Sequence, residues 1–208
     1  MEMIKKWGSC IISFIAGVLT LALSACSGMV ATSTIAGVSD TEITKAFKVL
    51  TDGDLLTQAK EAGLKSEFMT MKVFSIILMV VAVMLLVYSI VLLLKNLNII
   101  KSDSKIFAIC GVALAVLILI STIGVLVSSN VYAGAMADNV NKMLEAVKAQ
   151  SAALGMPIEA SASVKIGVYQ PIMLVTGIVS SLAIALCEFK NNTQTSENYF
   201  ARFSYQHY

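Results

Sequence analysis

Side chains able to do acid–base, nucleophilic or metal chemistry are few and scattered along these 208 residues. The single histidine, His207, stands at the extreme end, and the four cysteines, Cys10, Cys26, Cys110 and Cys187, form no CxxC pair. General acid–base catalysis needs titratable groups close to one another, and metal hydrolysis or phosphate binding needs an HExxH or a Gly-rich loop. None of these patterns occurs, and no stretch is basic enough to track a nucleic acid. The chain is therefore expected not to be an enzyme. No catalytic, cofactor-binding or metal-ligating residue is assigned, a nucleic acid is not expected as a partner, and no small-molecule substrate is identified.

The elements around these side chains explain their scarcity. Residues 7–39, 73–94, 106–137 and 166–187 contain no Asp, Glu, Lys, Arg or His. Roughly 20 apolar residues at about 1.5 Å rise match a hydrocarbon core about 30 Å thick, so each run can cross a bilayer. Composition agrees, with 57% hydrophobic and 13% charged residues. Continuous apolar runs without period-two alternation exclude a membrane β-barrel. The expected fold is all-α: a polytopic membrane protein whose four transmembrane helices form one bundle domain over residues 1–208, with short helical extracytoplasmic loops. The spans are placed at about 9–31, 71–94, 106–128 and 166–188. Outer loops take 32–70 and 129–165, an inner link 95–105 and a C-terminal tail 190–208.

Orientation follows from the basic residues. Lys5, Lys6, Lys95, Lys101, Lys105, Lys190 and Arg202 outnumber the acids of the head, link and tail, whereas acids outnumber Lys in the two long loops. The positive-inside bias then puts both termini in the cytoplasm and the chain in the cytoplasmic membrane. Lys5 and Lys6, an apolar stretch from Ile11 and then Leu23-Ser24-Ala25-Cys26 resemble a bacterial lipoprotein signal. In that family the Cys is lipidated and the residues before it are removed, which marks Cys26 as the lipidation candidate. The apolar segment continues past Cys26 through Met29, Val30 and Ile35, long enough to remain as a span. Claudins and tetraspanins share a four-span layout, but their paired loop cysteines are missing here, and neither family is assigned.

Small residues recur at helical spacing within the spans: Ser13 and Gly17 in the first, Gly111 and Ala115 in the third, Gly177 and Ser181 in the fourth. Such positions let helix backbones approach closely. In the first outer loop Ile43, Ala46, Phe47 and Leu50 follow the i, i+3, i+4, i+7 rule of a helical face, behind a capping box of Ser39 and Glu42. Val140, Met143, Leu144 and Val147 repeat the spacing in the second loop, where the third span is expected to run on unbroken to Leu154. Ile43, Phe47, Leu50, Met143, Leu144 and Val147 are the expected outer interaction face, covered either by each other as a small cap or by another protein. Tyr199, Phe200, Phe203, Tyr205 and Tyr208 give the tail an aromatic end.

Two functions are compatible with this sequence. One is a non-catalytic membrane protein acting through contacts, as an assembly, accessory or surface/immunity-type subunit, with the bilayer, other membrane subunits or further copies of itself as partners. The alternative is a small transporter or channel subunit working as an oligomer.

Overall fold

The computed structural model describes the backbone of residues 2–100 and 104–205 and the side chains of residues 7–26, 28–100 and 105–187. Lys101 and the side chains of Lys5, Lys6, Lys190, Arg202 and the aromatic tail lie outside what is described. The order of elements is α1 (Glu2–Leu23), β1 (Ser27–Ile35), β2 (Val38–Lys45), α2 (Ala46–Thr51), α3 (Gly53–Glu61), α4 (Lys65–Asn96), α5 (Ser104–Ala153), β3 (Ala160–Ile166) and α6 (Tyr169–Tyr205). The chain is mostly helical. α4, α5 and the Tyr169–Cys187 part of α6 are long and apolar enough to cross a membrane, while the apolar part of α1, Trp7–Leu23, is shorter.

The expectation of an all-α fold is corrected by a three-stranded antiparallel sheet of order β2-β1-β3. Its strands take residues expected to be helical. Residues 27–31, placed in the first span, belong to β1, and Ser39, Glu42 and Ile43 belong to β2, so neither the capping box nor the helical face at Ile43 exists. The reason lies in Val30, Thr32, Thr34, Ile35, Val38, Thr41, Ile43 and Thr44. β-Branched side chains fit a pleated surface better than a helix. Ala36 (φ 51°) and Gly37 (φ 81°) form the two-residue turn with both φ values positive that matches strand twist in a hairpin. The fourth apolar helix likewise starts at Tyr169 and not at Ile166, because Ile166 pairs with Met29.

The chain divides into two compact units, and the division falls inside α1, α4, α5 and α6. In the unit of residues 1–21, 78–120 and 175–208, small side chains line the contacts. Ser9, Ser13, Ala16 and Thr20 make one buried face of α1. A Cβ built on Gly17 would lie 2.8 Å from Leu86 Cγ and 3.0 Å from the Ala82 carbonyl, so glycine is what allows α1 to approach α4. The Cys10 thiol donates to Ser89 O at 3.2 Å, and Tyr88 Oη donates to Phe107 O at 3.0 Å, tying α1 to α4 and α4 to α5. Lys95 Nζ stands 4.4 Å above the Phe107 ring, a cation–π contact at the end of α4.

In the unit of residues 22–77 and 121–174, Met29, Val49, Ala59, Phe68, Met71 and Tyr132 form the core. Phe68 and Tyr132 meet edge to face, with ring centroids 5.5 Å apart. Asp52 caps α3 by accepting from Asp54 N, and Asn139 Nδ2 donates to Ala62 O at 2.5 Å, which pins the end of α3 to α5.

Candidate interaction surface

The turn between α1 and β1 anchors the sheet. Cys26 N donates to Leu23 O as α1 ends, while Ala46 N and Phe47 N at the start of α2 donate to Cys26 O and Ser24 O. Gly28 fits here because a Cβ would come within 2.9 Å of Ala46 Cα. Its carbonyl accepts twice, from Gly167 N at 2.9 Å and from Gln170 Nε2 at 2.6 Å. Gln170 thus latches the first turn of α6 to the beginning of the central strand. The sequence marks Gln170 as one of the few polar side chains of the apolar runs, beside Pro171 near the expected outer surface, but assigns it no role. Its one signal was an amide inside a charge-free apolar run, where an unsatisfied polar group is costly.

One face of the sheet is a rank of hydroxyls. Thr32 pairs across the ladders with Thr41 and Ser163, and Thr34 with Ser39 and Ser161. Thr34 and Ser39 hydroxyls are 2.9 Å apart and those of Thr32 and Thr41 3.4 Å. The opposite face carries Met29 and Ala160, both buried, with Val164 and Ile166 half-buried. β2 lies open on both faces, and only Thr44 among its residues is half-buried.

The residues expected to form an outer interaction face lie on three elements: Ile43 on β2, Phe47 and Leu50 on α2, and Met143, Leu144 and Val147 on α5. Leu50 and Leu144 are half-buried. Ile43, Phe47, Met143 and Val147 are 59%, 53%, 71% and 49% exposed, so no mutual cap covers them. All six of the small residues singled out for helix packing, Ser13, Gly17, Gly111, Ala115, Gly177 and Ser181, are buried. Among the described residues, no three His, Cys, Asp or Glu side chains group as a metal site requires.

Cys26 is half-buried in the turn directly before β1. Removal of the residues before it would strip away α1 with its buried Ser13, Ala16 and Thr20. The intact mass of the mature protein is therefore expected to include residues 1–25. A mass lacking them and carrying added acyl chains would contradict this.

The chain is thus defined as a predominantly helical protein with three membrane-length apolar helices and a small antiparallel sheet, compatible with insertion in a bilayer. Comparison with protein-family models, curated proteins and solved structures finds no match to it.

Proposed function

We propose that this chain is a non-catalytic multi-pass protein of the cytoplasmic membrane that works through protein contacts, as an assembly, accessory or surface/immunity-type subunit. In this reading α1 crosses together with α4, α5 and α6, both termini are cytoplasmic, and the sheet lies outside. Pairing of β1 with β3 supports the arrangement, because strands in one ladder lie on one side of a bilayer. An even number of crossings must then separate them, and α4 and α5 provide two. The excess of Lys in the short link supports the same direction.

The observation that carries the contact reading is the set of large apolar side chains, Ile43, Phe47, Met143 and Val147, left open on a unit that has its own packed core. A double variant, Ile43→Glu with Phe47→Glu, is expected to keep helix content and thermal midpoint. It is also expected to lose the stoichiometric association with membrane partners that the unaltered protein keeps through mild detergent. Ion flux through liposomes containing only the purified chain would overturn the proposal in favour of a channel.

A further inference from the structure

α5 continues beyond its packed part. Along the helix Ala108, Ala115, Thr122 and Ser129 recur every seventh residue and are buried, and Met136 in the same column packs on the core around Phe68 and Tyr132. The next members of that column are Met143 and Gln150, and both are exposed. Beyond Met136, with Val140, Val147 and Leu154, they make a seam of alternating three- and four-residue steps, Val140, Met143, Val147, Gln150, Leu154. This is the repeat by which two helices wrap around one another. Leu154, just past the helix, is 70% exposed. From residue 141 to 150 only Leu144 is even half-buried, and Ser151, on the same side of the helix as Leu144, is buried.

We propose that this outer segment of α5 pairs in parallel with the same segment of a second copy of the chain. The pairing deepens the contact function proposed above and rests on it. Three features select a second copy as the occupant. The residues flanking the seam, Asn139, Leu144, Ala146, Ser151 and Ala153, carry no charge, so self-pairing meets no like-charge repulsion. Asp138, Lys142, Glu145 and Lys148 lie outside the seam and mix both signs. Gln150 sits in the seam with a side-chain amide that both donates and accepts, so an identical amide at the same height satisfies it and fixes the register.

Membrane anchoring contributes the rest. Two copies inserted in one bilayer point their α5 helices the same way, so identical residues meet level with each other. About two heptads would be marginal for free helices, but tethering in a common membrane raises the effective concentration.

Cysteines added one at a time to the full-length protein in its native membrane test this, each read against the cross-linking of the unaltered chain with its four native cysteines. Met143→Cys, Val147→Cys, Gln150→Cys and Leu154→Cys are expected to give disulfide-linked dimers on oxidation. Glu145→Cys and Ala149→Cys, on the charged side, are expected to match the unaltered chain. Cross-links at Val147→Cys and Gln150→Cys alone would indicate an antiparallel pair, and equal or no cross-linking at all six positions would exclude the seam; either result overturns the proposal. Val147→Asp adds a second readout. It should halve the particle mass in detergent while leaving helix content unchanged, and an unaltered mass overturns self-pairing. If the chain stays monomeric yet still retains stoichiometric membrane partners, self-pairing fails and the contact function stands, whereas ion flux by the purified chain removes the contact function itself.

Discussion

Replacing Gly124 with leucine is expected to destabilise the protein by about 3 kcal/mol or more, at the upper end of overpacking effects. A Cβ on this residue of α5 would fall on the Phe74 ring of α4, overlapping Cδ1 and Cε1 and lying 2.8 Å from Cγ. Rotating the ring about its own axis does not relieve the clash, because Cγ is already too close. Either Phe74 must leave its rotamer or α4 and α5 must part. A milder pair of variants isolates the cause. Alanine is preferred over glycine in a helix by about 1 kcal/mol, so Gly124→Ala should stabilise a Phe74→Ala background and destabilise the unaltered protein. Unfolding in detergent measures both. The same sign in the two backgrounds would show that the ring is not what excludes the side chain.

At Gln170 the expected effect depends on which atom is changed. Gln170→Glu replaces the amide that donates to Gly28 O with a carboxylate that faces a carbonyl. A buried, unpaired charge is among the costliest single changes, and a loss of about 3 kcal/mol or more is expected. Gln170→Leu should cost only about 1 kcal/mol, since Gly28 O keeps its bond from Gly167 N and the buried Oε1 has no partner to lose. The adjoining cavity, lined by Ser75, Ser129 and Tyr169 among others, has about 10 Å³, close to the room one water needs. Equal losses from the two substitutions, read by thermal unfolding, would mean that Gln170 acts by its bulk alone.

The apolar helices were legible because absence of charge over some twenty residues leaves a chain few alternatives. The long reach of α5 was legible too, since no Gly or Pro strong enough to stop it precedes Gly155. The sheet was missed for a related reason. Residues 24–39 are Ser- and Thr-rich but uncharged, so counting charges merged β1 with the apolar helix before it. The local signal was present in the β-branched run around Ala36-Gly37, which reads as a hairpin. Ile43, Ala46, Phe47 and Leu50 happen to satisfy helical spacing, yet a strand ends and a helix begins between the first and the second. β3 carries no comparable local signal, because Ala160 to Ile166 become a strand only against β1. The role of Gln170, a residue that stands out as polar within its apolar run, was unreadable for the same reason: its partner, Gly28, is distant in sequence.

The order in which the chain is made has a bearing on the sheet. β1 is completed by β2 almost at once, but its other edge waits for Ala160 to Ile166, beyond two long helices. At about 5–20 residues per second, that wait is on the order of 10 s. During it, every nascent molecule displays a bare ladder edge to its neighbours. Chains interrupted anywhere between Lys45 and Ala160 would keep that edge permanently, which makes them prone to aggregate during synthesis.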